Sequence, residues 1–235
     1  MDNLDFIRSK SLNCIPQRKL RNTIENIEKG EGSREDKSTK ITAVNRYAES
    51  NIPTEYWALK MDRDFKGDPR LLAKYNEYVS DLKTAYEGGS SLCFAGGHGV
   101  GKSMVITCIL KKAVVKGYSC LYTTLSDIVN VLTQGDNDAK FLARRELSMV
   151  DFLAIDEFDP RFIQSEGAAD LYARSFESIF RVRSQNKLPT LMATNNPNPT
   201  VKFKDQLKDS VESLMSGYME TFQVLPWKDI RKEQP

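Results

Sequence analysis

No stretch of this chain stays apolar for the roughly 20 residues that a membrane-spanning helix requires. Met1-Asp2-Asn3-Leu4-Asp5 carries acids where a secretory leader would be basic and then apolar. Histidine is nearly missing, with His98 alone, and Cys14, Cys93, Cys108 and Cys120 lie far apart without a C-x-x-C pair. Tetrahedral zinc takes closely paired Cys and His ligands, so a structural zinc site is disfavoured. A disulfide framework does not suit a chain of 235 residues, and three of the cysteines sit in apolar runs and read as small core residues. The expectation is a soluble protein of a reducing, cytoplasmic compartment, or of a host cell's interior if it is virus-encoded. Charge of one sign is lacking too. The 34 Lys and Arg nearly cancel the 32 Asp and Glu, leaving a net charge of +2, so a nucleic-acid contact must rest on a local patch. No internal repeat is visible.

Hydrophobic residues at 40% are enough for one sizeable core and a small extension. Pro16 to Glu28 is a charged helical candidate, and the polar run from Gly30 to Ser38 has no apolar anchors and reads as a linker. The chain therefore divides into an extension over residues 1–40 and a main domain over 41–235. Leu71, Leu72, Tyr75, Tyr78, Val79 and Leu82 keep helical spacing behind a cap and first turn at Asp68-Pro69.

From Ser91 onward short apolar segments alternate with longer helical ones, the mark of an α/β fold in which helices flank a parallel sheet. Strands are predicted at Leu92–Ala95, Ser119–Thr123, Phe152–Ile155, Thr190–Ala193 and Thr221–Leu225. Helices are predicted over Lys102–Lys116, Leu125–Leu132, Ala139–Leu147, Ala168–Gln185 and Asp205–Met215.

Gly96-Gly97-His98-Gly99-Val100-Gly101-Lys102-Ser103 matches G-x-x-x-x-G-K-[ST] between a predicted strand and a predicted helix. Glycines let the backbone curl so that its N–H groups face a phosphate, and the helix that follows, through Lys102, Ser103 and Met104, adds the positive end of its dipole. Lys102 is then expected to reach the β and γ phosphates of ATP, and Ser103 to offer its hydroxyl to Mg²⁺. His98 reads as a tolerated loop residue. Phe152-Leu153-Ala154-Ile155-Asp156-Glu157 is an apolar strand ending in two acids. Asp156 is placed to hold Mg²⁺ directly or through water, and Glu157 to polarise the attacking water as general base. Leu191-Met192-Ala193-Thr194-Asn195-Asn196-Pro197 ends a third strand in amides and a hydroxyl; Asn195 or Thr194 is a candidate to hold that water or touch the γ phosphate, although Asn-Asn-Pro is also good turn chemistry.

These three motifs, in this order, make the chain resemble the AAA+ ATPases, and within them the helicase-loader and transposition-helper branch known as the DnaC/IstB-like group. Arg183-Ser184-Gln185-Asn186-Lys187-Leu188-Pro189-Thr190, running into Ala193-Thr194-Asn195, resembles the stretch before that family's sensor 1. Ser50-Asn51-Ile52-Pro53-Thr54-Glu55-Tyr56 resembles its approach to the ATPase domain. The likeness covers about Arg46 to Arg231. It implies a P-loop NTPase of AAA+ type with five strands in the order 5-1-4-3-2, Asn195 as sensor 1, and Arg231 as a terminal nucleotide-sensing arginine. It also implies a replicative helicase and single-stranded DNA as partners, and ATP-dependent assembly into a homo-oligomer. The alternative within the branch is a transposition helper that assembles on DNA and recruits a transposase. One departure stands out: Val211-Glu212-Ser213-Leu214-Met215 has serine where the family carries an arginine finger. Arg161, Arg174 and Arg183 are left as candidates for that role.

Overall fold

A computed structural model describes residues 15–159, 166–196, 213 and 215–225. Five strands, β1 (Ser91–Ala95), β2 (Cys120–Thr124), β3 (Phe152–Asp156), β4 (Thr190–Thr194) and β5 (Met219–Gln223), form one sheet in the order β2-β3-β4-β1-β5. Every pairing in it is parallel. This is the order 5-1-4-3-2 read from the other edge. Four strands fall within a residue of their predicted limits. β5 starts two residues earlier than predicted, because its register against β1 runs from Ser91 opposite Met219 to Ala95 opposite Gln223.

Side-chain alternation along the strands builds a core on each face of the sheet. Leu92, Phe94, Cys120, Tyr122, Phe152, Ala154, Leu191 and Ala193 face one cluster, while Cys93, Leu121, Leu153, Ile155 and Met192 face the other. The first cluster is closed by α1 (Gln17–Lys29), α2 (Arg34–Glu49), α3 (Met61–Asp64), α4 (Pro69–Ser80), α5 (Leu82–Gly88) and α6 (Lys102–Val115). The second is closed by α7 (Leu125–Gln134), α8 (Asn137–Met149) and α9 (Glu166–Gln185). Asp68 caps α4 by accepting from the Arg70 N–H, with Pro69 in the first turn, as the sequence predicts. Cys93, Cys108 and Cys120 are buried free thiols.

The polar run does not behave as a linker throughout. Residues 34–38 belong to α2, which runs unbroken past position 40. Ser33 and Asp36 form a reciprocal capping box at its start, which satisfies two otherwise orphaned N–H groups. Nothing in Arg34–Ser38 then interrupts a helix. The predicted helix Asp205–Met215 lies almost wholly outside the described residues.

Candidate nucleotide site

The carboxyl ends of β1, β3 and β4 are neighbours in the sheet, and the three sequence motifs converge there. This is the crevice in which ligands of open α/β sheets bind. The glycine loop leaves β1 at Ala95. Gly96 is locked in place by its N–H bond to the Thr194 carbonyl, and a Cβ there would come within 2.7 Å of the Val224 carbonyl. Gly101 takes φ +96° as the residue that caps α6. It has no side chain to cap the first turn of α6, where the N–H groups of a helix start favour an anion. This is the fit that a phosphate chain requires.

Lys102 is 6% exposed and its amine bridges two motifs. It donates to the Gly97 carbonyl and, over 2.9 Å, to Oδ1 of Asn195. Asn195 is thus brought onto the glycine loop from β4, 93 residues away. Gly97 and His98 are exposed, whereas Val100 and Met104 turn their side chains into the core, which leaves Met104 only its backbone to offer a ligand.

Asp156 ends β3 and is 5% exposed. Its Oδ1 accepts the Glu157 N–H at 2.8 Å, and its Oδ2 accepts the Tyr122 hydroxyl at 2.7 Å. Glu157 follows at φ +51°, a left-handed conformation that is uncommon outside glycine. The next residue, Phe158, donates its N–H to the Ala193 carbonyl, so the chain is pinned against β4 on either side of the exposed Glu157. Burial, and then the Asp156 charge, raise the Tyr56 phenol above its ordinary value. The Ser103 hydroxyl, in the first turn of α6 behind the glycine loop, and the Asp156 carboxylate, at the carboxyl end of β3, are both oxygen donors, which is the donor chemistry that Mg²⁺ selects.

A sequence model for the IstB-like ATP binding proteins matches residues 62–181, just over half of the chain. The chain belongs to this family. The replicative helicase loader DnaC of Escherichia coli strain K12 is 29% identical over 137 residues, which are 56% of this chain and 51% of that protein. The loader of the same name from Shigella flexneri matches equally. The chain thus spans about half the length of the curated relatives it matches. Among solved structures, DnaI aligns with a TM-score of 0.58 at 16% identity, covering 74% of this chain and 95% of that one. The DnaC helicase loader aligns at 0.54 and 20%, covering 74% and 100%. The replication initiator DnaA bound to AMPPCP and single-stranded DNA aligns at 0.59 and 15%, covering 74% and 51%. These likenesses carry the fold, an AAA+ P-loop core.

Two features of this IstB-like ATP binding protein were not legible in its motifs. Arg183, a candidate arginine finger, has no exposed surface. It donates to the Thr190 hydroxyl and to the carbonyls of Leu147, Val150 and Pro189 over 2.6–3.0 Å. Those partners sit at the amino ends of β3 and β4, opposite the glycine loop, and a buried clamp of this kind cannot reach a neighbouring subunit's nucleotide. Burial brings its guanidinium down to about 10, still charged near neutrality. The second feature is the pair Tyr56 and Tyr122, which alternation alone marks as ordinary packing residues. Arg174 is exposed on α9. Arg161 and Arg231 lie outside the described residues.

Proposed function

We propose that this protein is a slow, switch-like ATPase that uses ATP binding to hold or deliver a replicative helicase on single-stranded DNA. The observation that carries the nucleotide reading is the Lys102–Asn195 bond, which joins the phosphate loop and the proposed sensor position at the carboxyl end of the sheet where β3 also ends in Asp156. On this reading the Lys102 amine leaves the Gly97 carbonyl for the β and γ phosphate oxygens, and the Asn195 amide turns to the γ phosphate or the attacking water. Glu157 accepts the proton of that water as it attacks. Ser103 and Asp156 would hold Mg²⁺, which would neutralise charge on the β and γ oxygens. The terminal Arg231 is proposed to sense the nucleotide.

The likeness to a helicase loader supports the cellular role, and so does the outer face of the N-terminal helices. Leu20, Ile24 and Ile27 of α1 pack against the core while Arg18, Arg21 and Glu25 stay exposed. That leaves a charged surface on α1 for the helicase. Assembly into an ATP-dependent homo-oligomer belongs to the same proposal. Co-sedimentation with a hexameric replicative helicase, in ATP and in ADP, tests it. A complex that forms in one nucleotide state and dissolves in the other is expected. No complex in either state overturns the loader role, and ATP-dependent assembly on duplex DNA without the helicase would favour the transposition helper.

A further inference from the structure

One of the residues proposed to hold magnesium is held in turn by a tyrosine. Asp156 takes the Tyr122 hydroxyl on Oδ2. Tyr122 lies on the neighbouring strand β2, one diagonal step from Asp156 in the parallel register.

Tyr122 also has an anchor. β2 is an edge strand, and its open side is covered by the end of α2. The Ser50 carbonyl accepts the Tyr122 N–H at 2.9 Å, and the Asn51 amide donates to the Tyr122 carbonyl at 3.1 Å. The segment then doubles over α6. The Trp57 indole donates to the Ile52 carbonyl, and the buried Lys111 amine donates to the carbonyls of Tyr56 and Leu59. Lys111 stands on the same helix as Ser103, so α6 carries the metal-end hydroxyl at its first turn and the clamp on the segment eight residues later. Lys19 of α1 touches the segment at the Thr54 hydroxyl.

We propose that Tyr122 is a positioning residue for the magnesium end of the nucleotide site, orienting the Asp156 carboxylate, with residues 50–59 tying it to the N-terminal helices. The physical need is plain. An aspartate χ2 is a broad, soft torsion, so the carboxylate is not directed without a partner. A buried tyrosine donor fixes the carboxylate plane and still leaves lone pairs on each oxygen for a cation. Burial, and then the Asp156 charge, push the Tyr122 phenol far above its ordinary value, so it stays a donor throughout the physiological range. Any movement of α1 and α2, such as a docked partner would impose, reaches the carboxylate through Ser50, Asn51 and Tyr122.

The inference rests on the ATP–magnesium reading, and its test separates the two. Binding of an N-methylanthraniloyl ATP analogue to the full chain is measured across a magnesium titration and in EDTA, for the parent and Tyr122→Phe. The substitution removes one oxygen and keeps the ring. In the variant the half-saturating magnesium concentration is expected to rise about 10- to 100-fold, as when a hydrogen-bond partner of a metal ligand is lost, while affinity in EDTA stays within about twofold of the parent. A magnesium titration that superimposes on the parent's overturns the positioning role, and so does a loss of equal size in EDTA, which would mark a merely structural effect. Should Tyr122→Phe fail to fold, Asn51→Asp, which removes the amide donor on the Tyr122 carbonyl, gives the same readout. If the parent itself binds no nucleotide in either arm, the nucleotide reading falls and the positioning role falls with it.

Discussion

Lys102 gathers more of the site than any other side chain, since its amine meets a loop carbonyl and the Asn195 amide together. Lys102→Ala is expected to abolish tight ATP binding, and an ATP analogue that binds the variant as well as the parent in magnesium would defeat the phosphate-loop assignment. Glu157 has a different task. Its exposed carboxylate beside a pinned backbone suits contact with water rather than with the metal, so Glu157→Gln should keep nucleotide binding and lose turnover by about 10²- to 10⁴-fold. Hydrolysis at the parental rate would move the general-base role to another group. Arg183 belongs to stability instead. Arg183→Leu would take the charged donor from the carbonyls of Leu147 and Val150 and one bond each from the Pro189 carbonyl and the Thr190 hydroxyl, at a cost of roughly 3–5 kcal/mol, the range for breaking a buried charged network. Urea unfolding reads that loss directly, and a variant as stable as the parent would show that the clamp is dispensable.

At the scale of elements, α2 shows why composition misled at residues 34–38. The run has a Ser-x-x-Asp box at Ser33 and Asp36 and no glycine or proline after Gly32, so local chemistry favours a helix that the lack of apolar residues conceals. α2 buries Val44 alone and gains the rest of its support by packing against α1 and α6. α8 bears the proposed contact with single-stranded DNA. Arg144, Arg145 and the 65%-exposed Phe141 lie on its outer surface, with Lys140 half-buried beside them, which puts cations next to a ring on which a base can stack. The double variant Arg144→Ala plus Arg145→Ala should weaken binding and reduce the slope of log affinity against log salt by roughly 1.4, two phosphates at about 0.7 each for a single strand. An unchanged slope in a fluorescence-anisotropy titration would make this a solvated helix face.

The whole molecule raises the question of how hydrolysis is completed. Ser213 is exposed where the family carries its finger, and Arg183 is removed from contention by burial. An arginine supplied from outside accelerates phosphoryl transfer by about 10³- to 10⁵-fold, so the isolated, dilute protein is expected to turn over well below about one ATP per second. If the finger comes from a neighbouring copy through the exposed Arg174, specific activity should climb with protein concentration and fall when Arg174→Ala subunits are mixed in. Activity that stays low at every concentration and rises only with added helicase would assign the finger to the partner. Fast turnover by the dilute protein alone would contradict both.

The phosphate loop, the Asp156-Glu157 strand end and the Thr194-Asn195 strand end were legible because each is a contiguous run whose neighbours declare their structure: an apolar strand on one side, and glycine, acid or amide chemistry on the other. The sheet was legible for the same reason, since short runs with both alternating faces apolar have few other ways to be buried. What the chain could not declare is whatever depends on register between distant segments. Tyr122 reaches Asp156 across 34 residues, Asn51 reaches Tyr122 across 71, and Arg183 reaches Leu147 across 36. A tyrosine in a strand and an arginine in a helix look alike in sequence whether they face a ligand, a neighbour or a carbonyl. Only the closing of the parallel sheet, which sets β2 against β3 and folds residues 50–59 over α6, decided that Tyr122 meets Asp156 and that the arginine is locked at the opposite end of the sheet.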